Sequence, residues 1–556
     1  MNKQQTVSPL NIIVLAGCVL SGGFHEYVSC LLSVALAVYL AVRAHKQGYL
    51  TVKLNLTSLA VAVICAGYAV SCFWAVDTGM AWIGFCKFLP ALLYMVSLWQ
   101  AHDRQQLQRI LPAFGAVTVI VGVIGMHISA LSPFFSVAGR LAGFFQYPNT
   151  YALFLLVCEL MLFAQPILRK RSYLVAAVLV IGLLYTGSRT VFVLLILSNL
   201  VLALLQRRKL WRVVLTVAAV AVLFAVLVLL LGQNTVLYRY LHISLSESTL
   251  VGRLLYMVDS LPLLLEYPFG TGYMGYYYLQ SEIQTGLYSV MYVHNDLLQL
   301  LLDIGWLPVA VLLGALCRFF CSKTVTAHNK LIAATVLVHA LLDFDLQFIF
   351  ILLLLIYLLD DAAAATRRIG RVPMQIGAIA VAAVSLYMAA ALLLARVGLR
   401  TQADALYPFN TQNQLAMLEQ ERSLEKADQL SLRILSENTA CYLPYSIQAQ
   451  CAYLKGDIAQ AIQNKRIVLQ KAPFCYGEYE QYCLMLIHAS RACLQNGDIE
   501  GGLACQKELC QVAQQLADAE QRMSKLGKAI KDQPRFELPK EIQDYVNGIL
   551  SVNGKG

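Results

Sequence analysis

From residue 10 to residue 396 the chain is a succession of apolar runs, each closed by a short polar or basic cluster. Crossing about 30 Å of hydrocarbon takes roughly 20 helical residues, and in lipid the backbone can satisfy itself only within the helix. The pattern predicts an all-α polytopic membrane protein of about 12–13 transmembrane helices. Leu10 to Phe24 is followed at once by Tyr27 to Val42, which reads as an anchor pair rather than a cleaved leader, so nothing is expected to be lost on maturation.

The basic clusters are Arg43/Lys46/Lys53, Arg104/Arg109, Arg169/Lys170/Arg171, Arg207/Arg208/Lys209/Arg212, Arg318/Lys323/Lys330 and Arg367/Arg368/Arg371. If all are cytoplasmic, neighbouring clusters must be separated by an even number of crossings. Two apolar segments fit each gap, turning at Trp74 to Gly79, Ser132 to Pro148, Thr186 to Arg189, Gly232 to Val293 and Asp343 to Gln347. The run 331–361 is divided at Asp343-Phe344-Asp345 because two carboxylates in mid-membrane are costly. A last span at Gln375 to Ala395 then leaves the N-terminus inside and everything after Arg396 outside.

From about Thr401 the pattern becomes polar, Glu/Gln/Lys-rich and helical. This separates a membrane domain, 1–400, with a large extracytoplasmic loop at 233–293, from an extracytoplasmic helical domain, 401–556. Within the latter, Ala452-Tyr453-Leu454-Lys455-Gly456-Asp457-Ile458 recurs as Ala492-Cys493-Leu494-Gln495-Asn496-Gly497-Asp498-Ile499. The small residue before a Gly-Asp turn, with Ala461 and Ala504 following, resembles the tetratricopeptide helix-turn-helix, although the copies are spaced wider than its usual unit of about 34 residues. Stacked pairs of this kind hold a partner on a concave face or simply cap what they sit on.

Composition narrows the reading. With 59% hydrophobic and 13% charged residues, 556 residues do not form one soluble core. The net charge of +10 lies between apolar runs and follows topology, so no nucleic-acid partner is expected. The 15 cysteines include no CxxC and no Cys/His ligand spacing, and neither a metal nor another cofactor is called for.

On this map the outward face of the membrane domain carries few arginines: Arg140, Arg189, Arg239 and Arg253, converging on the face that bears His294. Positive-inside bias works against them, which favours a role in binding an anion, although Arg140 and Arg239 could equally meet lipid headgroups. A histidine at a helix mouth can act as a general base near neutrality. The stretch from Tyr238 to Gly305 therefore reads as a lid over an active site, and its tyrosines, Tyr256, Tyr273, Tyr276, Tyr277, Tyr278, Tyr288 and Tyr292, offer faces for sugars or an interfacial belt.

Five stretches occur in order: Gly139-Arg140-Leu141 with Gly143 and Pro148-Asn149; Thr186-Gly187-Ser188-Arg189; Gly252-Arg253-Leu254; Tyr267-Pro268-Phe269-Gly270-Thr271-Gly272; and His294-Asn295 through Leu298 to Asp303-Ile304-Gly305. Together they resemble the O-antigen ligase/polymerase superfamily over residues 10–360. The resemblance implies a metal-independent glycosyltransferase of the bacterial cytoplasmic membrane. It would move an undecaprenyl-pyrophosphate-linked glycan to a hydroxyl on a glycan, lipid or protein acceptor at the outer face. It implies His294 as base, Arg189 and Arg253 on the pyrophosphate, and Arg140, Asn149, Asn295, Tyr273 and Tyr277 toward the substrate. Asp303 stands where the family often has Glu, and His339 with Asp343 is similar to a late family motif or forms a structural polar pair. The C-terminal domain would recruit the acceptor or an assembly partner. The competing reading is a transporter or flippase for an anionic glycan precursor, which should show an inverted repeat; residues 1–396 show none that is convincing.

Overall fold

The computed structural model describes residues 6–165, 168–205, 222, 240, 248–360, 364–530, 533 and 535–553. Arg239, the basic cluster Arg207/Arg208/Lys209/Arg212 and most of 233–247 lie outside the described residues. The chain forms two compact units, one made of Met1–Cys72, Ala81–Ser244 and His294–Gly398, the other of Phe73–Met80, Leu245–Val293 and Leu399–Gly556.

The fold is all-α. Among the described residues, Glu26–Gln47, Thr78–Trp99, Gln106–Met126 and Arg371–Arg396 are long and apolar enough to cross a membrane. Pro9–Val19, Leu56–Ser71, Pro148–Phe163, Arg189–Leu205, Trp306–Cys321 and Ile349–Leu359 are shorter apolar helices. Pro148–Phe163 is apolar on every side and is buried almost throughout, as a helix at the centre of a bundle must be. The expected turns at 186–189 and 343–347 fall where one apolar helix gives way to the next, the one at 74–79 runs into the start of Thr78–Trp99, and 132–148 holds the short helix Ser132–Phe135.

Two short ribbons interrupt the helices. Tyr49–Leu54 pairs antiparallel with Ala365–Gly370, so that Val52 faces Arg367 and Tyr49 faces Gly370. Gly48, at φ 77°, ends the preceding helix in the left-handed conformation that glycine adopts without strain and releases the chain into the strand. The ribbon gathers basic clusters that are far apart in sequence. Asp360 pairs with Arg104 and lies 3.7 Å from Lys53, and the Arg368 guanidinium covers the Tyr49 ring at 4.4 Å. Arg318 and Val325 line a small cavity with Asn55, Thr57 and Leu359. Four of the basic clusters thus share one end of the first unit.

The second unit is built on helix hairpins. Tyr442–Leu454 packs on Ile458–Lys471, and Tyr476–Gln495 on Ile499–Arg522. Each turn is a Gly-Asp pair: Gly456 and Gly497 take φ of 84° and 82°, and Asp457 and Asp498 then cap the next helix by accepting from Gln460 N and Gly501 N. Leu486, Leu509, Leu516 and Ala519 form the centre of its core. The segment 285–293, expected with the membrane domain, packs here, with Leu287 against that core.

Candidate functional site

At the end of the first unit away from the basic ribbon, four turns meet. Phe24 packs on Phe348, with ring centroids 4.8 Å apart, and Tyr147 on Phe344, also at 4.8 Å. The His294 ring stands edge-on to Phe344 at 4.9 Å and 88°. His294 has φ 58°, a conformation that non-glycine residues seldom adopt and that a surrounding structure must enforce. What enforces it follows directly in the chain. Asn295 caps the helix Asp296–Ile304, its Oδ1 accepting from Leu298 N at 3.0 Å, and Asp296 Oδ2 accepts from Leu346 N at 2.8 Å. The half-buried imidazole is thereby held at the mouth of a fixed helix.

Around it runs a polar network. Arg140 donates from Nη2 to Asn149 Oδ1 and from Nε to the Thr186 carbonyl, both at 2.7 Å. The second bond satisfies a carbonyl left open where Lys170–Thr186 ends, Gly187 turning the chain at φ 64° so that Arg189 opens the next helix. Asn149 Nδ2 donates to Asp343 Oδ2 and Tyr147 OH to Asp343 Oδ1, each at 2.9 Å. The carboxylate that His339 Nδ1 meets, at 2.5 Å, is Asp345, which also accepts from Thr150 Oγ1 at 2.7 Å. Asp343 and Asp345 do break the helix, yet both are fully buried, their oxygens met by these donors.

Asp303 lies beneath the His294 helix mouth, fully buried and bonded to Tyr68 OH and Gln299 Nε2 at 2.8 Å each, so the shorter carboxylate is met directly by its neighbours. Lys87 is one residue that sequence reasoning missed. It is fully buried, its Nζ 3.7 Å from Glu26 and 5.1 Å from the Phe24 ring. A single lysine in the apolar helix Thr78–Trp99 was the available signal. Asp345, Thr150 and Tyr147 were missed for a different reason: nothing in their spacing announces a partner almost two hundred residues away.

Three expected residues belong to the second unit. Arg253 sits half-buried on the helix Ser248–Ser260. Tyr273 is buried with its hydroxyl 2.9 Å from that of Tyr292, while Tyr277 is half-buried with its ring edge against Tyr278. Tyr276, Tyr278 and Tyr288 are buried too. The buried rings pack into the core of this unit, because the loop has helices of its own to pack, while Tyr277 keeps part of its ring exposed. Asp259, on the helix of Arg253, accepts from Thr285 N and Oγ1 at 2.8 Å each. Burial pushes its carboxyl above the ordinary range, against those two hydrogen bonds.

Among the described residues no group of three or more His, Cys, Asp or Glu side chains has the arrangement of a metal site. The O-antigen ligase family model matches residues 174–313, a stretch that contains Arg189, Arg253, His294 and Asp303 and leaves out Arg140, Asn149, His339 and Asp343. The match supports the O-antigen ligase/polymerase superfamily and, in general terms, glycosyl transfer of that type from a lipid-linked donor in a membrane. No curated protein matches the chain.

Proposed function

With an O-antigen ligase domain at residues 174–313 as the starting point, we propose that this protein transfers an undecaprenyl-pyrophosphate-linked glycan to a hydroxyl acceptor at the outer face of a bacterial cytoplasmic membrane. The observation that carries the proposal is His294: a half-buried imidazole in a left-handed backbone conformation, at the same end of the bundle as the Arg189 turn and the Arg140–Asn149–Asp343 network. The acceptor oxygen attacks the anomeric carbon and gives its proton to His294. The bond from that carbon to the pyrophosphate oxygen breaks, and undecaprenyl pyrophosphate leaves with the electron pair. Arg189 and Arg253 bind the phosphate oxygens and stabilise the charge that builds on them, and one displacement inverts the anomeric centre. Residues 1–400 form the membrane domain in this reading, and 401–556 a tetratricopeptide-like outer domain.

The test is transfer by the purified full chain, supplied with lipid-linked oligosaccharide and acceptor from its own host, followed as release of undecaprenyl pyrophosphate and as a heavier acceptor. His294→Ala is expected to lose about 10²-fold or more in turnover while donor binding persists. Arg189→Ala and Arg253→Ala are expected to weaken donor binding. Full transfer by His294→Ala would remove the base, and saturable donor binding with no turnover under any acceptor would favour a transporter.

A further inference from the structure

The C-terminal region does more in this fold than hang from the last apolar helix. Within the second unit, Ser524, Gly527 and Gln533 clasp the stretch Thr285 to Leu287. Ser524 N donates to the Thr285 carbonyl at 3.0 Å. Gln533 makes a two-point contact with Leu287, accepting from its N–H at 2.8 Å and donating to its carbonyl at 2.9 Å. Between these bonds two glycines touch: a Cβ on Gly286 would lie 2.6 Å from Gly527 Cα, and one on Gly527 would lie 2.3 Å from the Thr285 carbonyl oxygen. No side chain fits there without parting the two segments.

The clasped stretch is also tied to the helix of Arg253. The Thr285 hydroxyl lies 2.8 Å from both Asp259 Oδ1 and Ser524 Oγ, and its N–H donates to Asp259 Oδ2. The carboxylate accepts the hydrogen bond of the threonine hydroxyl, so the Ser524 hydroxyl donates to the threonine oxygen. Lys525–Ala529 packs directly on Ser248–Ser260. The tie ends on the helix of a candidate pyrophosphate-binding arginine.

We infer that Ser524, Lys525–Ala529 and Gln533 form a positioning element of the transfer site, fixing the Arg253 helix through Thr285 and Asp259. The inference rests on the proposed role of Arg253 and adds that the C-terminal region governs donor affinity from within this chain, with no external partner needed.

The experiment measures binding of undecaprenyl pyrophosphate by the full-length protein in nanodiscs, comparing wild type, Arg253→Ala, Gln533→Ala, Gly527→Val and the Arg253→Ala/Gln533→Ala double variant. Hydrogen exchange over Ser248–Ser260 is read on the same samples. Gln533→Ala removes hydrogen bonds and Gly527→Val inserts a wedge, so failure of the harsher variant to fold leaves the milder one to decide. Each should weaken binding about tenfold at unchanged stoichiometry, and the Ser248–Ser260 amides should exchange faster. A merely structural loss would lower the binding-competent fraction and leave the Kd of the remainder alone. In the double variant Gln533→Ala should add nothing to Arg253→Ala, since the clasp acts through that residue. Wild-type affinity in both clasp variants, or losses that multiply in the double, would overturn the clasp and leave Arg253 standing. Wild-type affinity in Arg253→Ala would overturn the role of Arg253, and the clasp with it.

Discussion

The two units treat similar side chains in opposite ways. At the site end of the first, carboxylates, an arginine and a histidine are drawn inward and satisfied by one another, leaving His294 half-open on a rigid aromatic seat. In the second, tyrosines that look like a binding surface along the chain are mostly folded into a core, and a side-chain amide, that of Gln533, holds the backbone of Leu287. The difference teaches that an unusual residue in an apolar bundle is informative because burying it is costly, whereas an aromatic in a polar stretch is ambiguous because any helix can use it for packing.

The sharpest way to break the comparison is Asp343→Leu. It strips the acceptor from Tyr147 and Asn149 together and frees the Asn149 amide that orients Arg140, which should cost about 3 kcal/mol and reduce transfer severely. Thermal inactivation in detergent, read beside turnover, checks both effects, and a stable, active Asp343→Leu would show that the network is not needed.

A smaller effect is expected at Glu508 in the second unit. Arg466 bonds both its oxygens, one at 2.8 Å and the other at 2.5 Å, and holds the carboxyl below the ordinary glutamate range, with Tyr482 OH adding a bond at 2.7 Å. Its folded value is depressed, so its contribution is complete above the ordinary value of about 4.3 and is lost as the pH falls through the lower, folded value. Asp259 has the opposite sign, since its raised carboxyl favours the folded state at low pH and that contribution fades as the pH rises through the folded value. Glu508→Gln should therefore cost about 1–3 kcal/mol near neutrality and flatten the acid limb of the stability profile. An unchanged acid limb would remove the ion pair from the account.

The smallest effect is expected from Tyr273→Phe, which breaks the hydroxyl pair with Tyr292 and keeps the packed ring. A loss of no more than about 1.5 kcal/mol with unchanged donor affinity fits a core residue. A large rise in donor KM would instead return this tyrosine to the binding surface.

Sequence alone determined the fold class and the places where helices must stop. Apolar runs of spanning length leave only the helix, and Gly48, Gly187 and the Asp343–Asp345 carboxylates mark their ends in local chemistry. His294, Arg140 and the Arg189 turn stood out for the same reason, each a polar group where the pattern calls for an apolar one or for a turn, whereas Asn149 stood out only through the family resemblance. Tertiary structure alone decided which partners those groups have. That Thr150 meets Asp345, that Lys87 sits beside Glu26, and that Gln533 holds Leu287 across 246 residues depends on which turns the bundle brings to one end and on which segments pack into one core. Pairing between segments so far apart leaves no period in the chain. It comes from the packing of whole helices, where a displacement of one turn would leave each of these buried polar groups without its partner.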